Sequence, residues 1–95
     1  MSGYTYILQL QDNHWYVGFT NDLANRIVNH LVEKPQVRWL VVHKPVRLYK
    51  VVEGNREQEL TISMMRKFGW SKVRGYCWTK VNLQSAPKVL MRKIT

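Results

Sequence analysis

Cysteine is nearly absent: Cys77 stands alone among 95 residues, which excludes an intrachain disulfide and any zinc site built on several thiolates. Acids are scarce as well. Asp12, Asp22, Glu33, Glu53, Glu57 and Glu59 are the only carboxylate side chains, against 15 Lys plus Arg, so a hard cation has few anchors. No apolar run of about 18 residues occurs, and the N-terminus lacks the basic and apolar blocks of a signal peptide. These absences predict an intracellular protein of a reducing compartment, nucleus and cytoplasm being equally compatible, with no membrane partner.

What is present is basic, aromatic and compact. The formal charge is +9, with 45% hydrophobic and 12% aromatic residues and no long Pro/Gly/Ser tract. That composition predicts one small globular domain over residues 1–95. A cation excess well beyond what solubility needs favours a polyanionic partner, because bound phosphates release counterions. DNA is the expected partner, and the oligomeric state is not legible.

Residues 4 to 10 and 14 to 18 are β-rich and separated by Gln11-Asp12-Asn13, a turn signal, so a hairpin is predicted. Asn21 or Asp22 is placed to cap a helix from Leu23 to Leu31, with Leu23, Ile27 and Leu31 spaced four apart as its buried stripe. Arg26 and His30 fall together beside that stripe, at the edge of the core. Lys34-Pro35 ends this helix, and Gln36 to His43 reads as a short helical or irregular segment around Trp39. Val46 to Val52 alternates imperfectly but is β-rich and predicts a third strand, stopped by Gly54. A second long helix is predicted from near Asn55 to Phe68, with Leu60, Thr61, Met64 and Phe68 buried and Gly69 as its stop. The order is strand, strand, helix, strand, helix, an α+β pattern.

Glu57 precedes Leu60, Thr61 and Met64 by helical spacings, which places it on the core side, whereas Glu59 points away. A carboxylate there needs a cation or an ion-pair partner. The two readings are a metal ligand or a salt bridge to Arg26 or another base, with Glu53 the weaker ligand. Tyr6 and Tyr16 are read either as core aromatics or as a pair of phenols on one face of the hairpin. Arg26 is read as a surface arginine or as a bidentate phosphate clamp. His30 is read as a core-edge histidine or as a hydrogen-bond partner of a tyrosine, a water or a phosphate. His14 and His43 have no partner at metal spacing, and the four tryptophans are assigned to the core, with one or two of them able to stack unpaired bases.

Tyr4-Thr5-Tyr6, then Tyr16-Val17-Gly18-Phe19-Thr20, then Arg26 and His30 resemble the start of the GIY-YIG nuclease domain, and Arg74-Gly75-Tyr76 is similar to its short single-domain members of viral or structure-specific repair type. The similarity runs through Trp39, His43-Lys44-Pro45 and the helix from Glu57 to Gly69, and so covers roughly residues 4–78. Tyr4 and Thr5 stand where the family name has Gly and Ile, while Val17 replaces Ile in the second motif. The asparagine often found after the glutamate-bearing helix has no clear counterpart, Asn82 being the nearest candidate.

The resemblance implies a three-stranded antiparallel sheet flanked by helices and a divalent-metal-dependent DNA endonuclease of repair or recombination type. It further implies that Glu57 holds Mg²⁺ or Mn²⁺, that Tyr6 or Tyr16 helps deprotonate the attacking water, and that Arg26 neutralises the phosphate. His30 would orient the tyrosine or the water, and the products would carry a 5′ phosphate and a 3′ hydroxyl. Phosphate contacts are expected from Lys34, Arg38, Lys44, Lys72 and Arg74. So short a chain suggests recognition of DNA shape, such as flaps or junctions, or a protein partner that supplies targeting. The alternatives are a catalytically silent nucleic-acid-binding module of the same fold and, less favoured, a protein-interaction domain.

Overall fold

The computed structural model describes residues 3–31 and 37–91. Its elements are β1 (Tyr4–Leu10), β2 (His14–Thr20), α1 (Leu23–Leu31), α2 (Arg38–Val42), β3 (Pro45–Glu53), α3 (Glu57–Phe68) and β4 (Val73–Gly75). Short 3-10 turns cover Gln11–Asn13, Trp70–Lys72 and Lys88–Met91. Glu33, Lys34 and the expected helix end at Lys34-Pro35 lie outside the described residues.

The sheet has four strands in the order β3-β1-β2-β4. β1 pairs antiparallel with both neighbours, and β4 runs parallel to β2 through Trp15–Val73, Tyr16–Arg74 and Val17–Gly75. The α+β architecture is as expected, but the sheet is mixed and has one strand more. The extra strand is too short, and too polar at Arg74, to announce itself by pattern. β3 also explains its own poor alternation. Its register against β1 slips twice, between Ile7 and Leu8 and between Gln9 and Leu10, so Tyr49 and Val46 are bulged residues. Bulges on an edge strand also hinder further strand pairing.

β1 is covered on both faces, which is why its residues are buried almost without alternation. On one face Tyr6, Leu8 and Leu10 pack with Trp39 and Leu40 of α2, and Leu23 and Ile27 of α1 lean on them half-buried. On the other, Ile7, Trp15 and Val17 pack with Met64, Met65 and Val73. Trp39 Nε1 donates to the Trp15 carbonyl at 2.9 Å, strapping α2 to β2. The expected α1 stripe is shallower than its spacing suggests: Leu31 is exposed, and His30 is the buried residue of that helix.

Two local devices set the ends of the long helices. Asp22 caps α1, its side chain accepting from Asn25 N–H at 3.4 Å and its carbonyl from Arg26 N–H at 3.0 Å. Thr5, buried, donates its hydroxyl to the Gly54 carbonyl at 2.6 Å and accepts the Arg56 N–H at 2.8 Å. The β3–α3 turn is thereby tied to β1, which holds the first turn of α3, and so Glu57, at this end of the sheet. Gly69 ends α3 at φ 99, a left-handed conformation that favours glycine.

Candidate active site

Tyr6 lies opposite Gly18, and Tyr16 lies opposite Leu8, in the β1–β2 register. The two phenols are therefore diagonal neighbours on one face rather than a directly opposed pair. Their ring centroids are 6.3 Å apart. Gly18 makes room for them. A Cβ on that residue would meet Tyr6 Cζ at 2.5 Å and Tyr16 Cε2 at 3.1 Å.

His30 closes the group from α1. Its Nε2 is 2.8 Å from the Tyr6 hydroxyl, and its ring centroid is 5.6 Å from that of Tyr6 and 5.8 Å from that of Tyr16. Nδ1 is buried without a hydrogen-bond partner. An orphaned buried N–H costs more than an unused lone pair. The proton therefore sits on Nε2, and the imidazole donates to the Tyr6 oxygen. Burial, reinforced by the positive charge of Arg26, lowers the His30 pKa to about 4, so the ring is neutral at pH 7.

The same charges meet at both phenols. Tyr6 is held well above the usual phenol range, mainly by burial, then by Tyr16, with Arg26 pulling it down and Glu57 pushing it up. Tyr16 is raised by burial and by Glu57, and lowered by Arg26. Arg26 is exposed on α1, one turn before His30. Tyr6, Tyr16 and His30 thus form one group, on which Arg26 and Glu57 act through their charges; α3, which carries Glu57, packs against the opposite face of the sheet from Tyr6.

Glu57 is half-buried, and its carboxyl is raised above the ordinary range by burial, partly offset by a hydrogen bond from the Tyr76 backbone. Tyr76 follows β4 with φ 56. Gly75 lets β4 approach β2 and α3: a Cβ there would meet Val17 O at 2.6 Å and Thr61 Oγ1 at 2.7 Å. The short fourth strand therefore presents a backbone donor to the glutamate. No salt bridge joins Glu57 to Arg26; among the described residues the ion pair is Arg56–Glu59 at 2.7 Å.

No group of three or more His, Cys, Asp or Glu converges among the described residues, which argues against a zinc cage. A single desolvated carboxylate without a basic partner instead suits Mg²⁺ or Mn²⁺. Such an ion keeps several waters and completes its shell with substrate phosphate oxygens.

Of the expected phosphate contacts, Arg38, Lys44 and Lys72 are exposed, and Lys34 lies outside the described residues. Arg74 is a correction. It is 2% exposed, and its guanidinium donates to the carbonyls of Lys80, Trp70, Val73 and Val81 at 2.6 to 2.9 Å while lying over the Trp39 ring. Four of its five N–H groups are taken by the protein, so it cannot grip a phosphate. Its work is to tie the segment after β4 to the sheet.

Trp15 and Trp39 are buried, and Trp70 and Trp78 pack half-buried against the core, as the composition suggested. Sequence spacing missed the pairing of His14 with His43, whose rings stack at 3.7 Å with an interplanar angle of 10°. Residues 29 positions apart in the chain give no local signal of that contact.

Residues 2–67, more than half of the chain, match the GIY-YIG catalytic domain. The chain belongs to the GIY-YIG catalytic domain family, whose members are endonucleases, generally dependent on a divalent metal, with DNA as substrate. It is similar to the UPF0213 protein YazA of Bacillus subtilis (strain 168), with 40% identity over 43 residues, a match spanning 45% of this chain and 42% of that protein. No solved structure matches it. Among the described residues no helix is long and apolar enough to cross a membrane.

Proposed function

We propose that the chain hydrolyses DNA phosphodiester bonds with one divalent ion held at Glu57. The observation that carries this reading is the Tyr6–His30–Tyr16 cluster, with the Tyr6 hydroxyl 2.8 Å from His30 Nε2 and both phenols beside that ring, in a chain that matches the GIY-YIG catalytic domain.

Tyr6 is the preferred proton acceptor for the attacking water. Its oxygen receives a hydrogen bond from His30, which orients the phenol and stabilises negative charge on it. A free phenol this strongly raised is almost never ionised at neutral pH. Arg26 lowers that barrier and, once a phosphate is present, neutralises its developing charge. Tyr16 flanks the same pocket and orients the phosphate or the water. Glu57 would hold Mg²⁺ or Mn²⁺, and the bound ion supplies Lewis-acid stabilisation of the leaving 3′ oxygen. The +9 charge, with Arg38, Lys44 and Lys72 exposed, supplies non-specific DNA affinity. We further propose that targeting comes from DNA shape, at flaps or junctions, or from a protein partner.

Incubation of supercoiled plasmid and of branched DNA with Mg²⁺, with Mn²⁺ or with chelator tests this reading. Nicking with either metal and none with chelator is expected. Retention of DNA without nicking under every metal condition would instead favour a silent binding module. Cleavage of a flap no faster than plain duplex would remove the shape-directed part.

A further inference from the structure

At the turn end of the sheet, on the face that carries Tyr16, a cleft of about 380 Å³ opens between α2, the hairpin and the segments on either side of β4. Its walls include His14, His43, Trp70, Ser71, Arg74 and Asn82. His14 is two residues before Tyr16 on β2, so its side chain leaves the same face about 7 Å along the strand. The cleft is thus a neighbour of the phenol pair, and none of Tyr6, Tyr16, Arg26, His30 and Glu57 lines it.

Its chemistry is aromatic and cationic. The stacked imidazoles of His14 and His43 meet the Trp39 ring edge-on, His43 at 4.3 Å and His14 at 5.4 Å. Trp70 lies half-buried in the opposite segment, and Asn82 and Ser71 are exposed polar groups at the rim. Beneath lies Arg74, a buried cation met by carbonyl dipoles and an indole face instead of a carboxylate. No acid lines the cleft among the described residues, and Lys44 and Lys72, both exposed, adjoin His43 and Ser71 in the chain. Aromatic rings, amide and hydroxyl groups and a buried cation, with Asp12 as the one acid that acts on His43, together match an unpaired nucleobase on its phosphate backbone.

We propose that this cleft receives an unpaired base of the DNA strand, beside the phosphate presented to Tyr6 and Tyr16. The inference rests on the nuclease reading for the identity of the strand, and it deepens that reading: the enzyme recognises single-stranded character next to the cut. Stacking on an aromatic wall tolerates any base, so the preference is for structure, not sequence.

The test is fluorescence anisotropy in chelator, where no cleavage occurs. It compares a blunt hairpin duplex, the same duplex with a short single-stranded overhang, and one whose overhang is abasic. The overhang should bind about tenfold more tightly than the blunt end, the gain of one stacked base, and the abasic overhang should lose most of that gain. Ser71→Glu, at an exposed rim position that spares the core, and His43→Ala should each reduce the advantage to less than about twofold. Equal affinity for base-bearing and abasic overhangs would overturn the proposal, because phosphate charge alone would then account for binding. So would an advantage that survives both substitutions, or a free deoxynucleoside monophosphate competing as well as the overhang. If the base-dependent advantage is present while no metal supports nicking, the cleft stands and the nuclease reading falls. If nicking is present without it, the reverse holds.

Discussion

The Tyr6 hydroxyl and His30 Nε2, 2.8 Å apart, join the central strand of the sheet to the first helix. The bond crosses 24 positions of sequence and is buried. It fixes one phenol of the pair and leaves the other, Tyr16, framed by the same imidazole. A buried polar pair of this kind costs stability if either partner is removed.

Tyr6→Phe keeps the ring and removes the proton acceptor. Cleavage should fall roughly a hundred- to ten-thousandfold, with DNA retention in a filter assay unchanged. The protein should also lose about 1 kcal/mol in chemical denaturation, because His30 Nε2 then lacks a partner. Turnover at the original rate would remove Tyr6 from the chemistry.

Gly18→Ala tests the room beneath the phenols. A methyl at that position collides with both tyrosine rings, so overpacking should cost about 1 to 3 kcal/mol. Cleavage should fall far more than DNA affinity, since the displaced group is Tyr6. Normal cleavage with normal stability would show that the strands can part there without consequence.

Arg74→Met addresses the revised role of this residue. The loss of its donors leaves four carbonyls short of a partner, which should cost roughly 3 kcal/mol or more in urea denaturation. Lys72→Ala, at an exposed position, should instead leave stability within about 0.5 kcal/mol. It should also lower the slope of log affinity against log salt by about one. A stable Arg74→Met protein that has merely lost DNA affinity would restore the original phosphate-contact reading.

Acid should weaken the fold through His30. Its folded pKa, about 4, lies below the unfolded value of 6.5, so the unfolded chain binds the extra proton between those limits. Stability from this group is full above pH 6.5 and declines as pH falls towards 4, by up to roughly 3 kcal/mol. Urea titrations at pH 4.5 and pH 7 on the wild type and on His30→Gln should show a smaller acid loss in the variant. Parallel losses in the two proteins would assign the acid sensitivity elsewhere.

Much of the framework could be read from residues in order. The Asp22 cap, the Leu23 to Leu31 helix, the strand ended by Gly54 and the helix ended by Gly69 all carry local signals, and the structure keeps them within a residue or two. Arg26, His30 and Glu57 stand out by helical spacing and by the family resemblance, and of these His30 hydrogen-bonds a phenol. What escaped depends on contacts between distant segments. β4 has three residues and exists because Gly75 lets it close on Val17. The bulges at Val46 and Tyr49 follow from pairing with β1. Arg74 looks like any surface arginine until the carbonyls of residues 70 to 81 fold around it. Thr5, a departure from the family motif, shows its use only when its hydroxyl is seen tying Gly54 to Arg56.

Glu57→Gln is the most direct measurement of the central claim. Burial raises the Glu57 pKa, so the folded state holds its proton more tightly than the unfolded chain. The cost of ionisation is absent below the unfolded pKa and fully present above the folded one. In metal-free buffer the variant should therefore melt slightly higher than the wild type, by a few degrees at most. It should retain DNA at least as well, since one negative charge near the phosphates is gone. Assayed on supercoiled plasmid across a Mg²⁺ titration, it should give no nicking at any concentration, whereas the wild type nicks and is silenced by chelator. Nicking by Glu57→Gln at the wild-type rate and with the wild-type Mg²⁺ dependence would contradict the account.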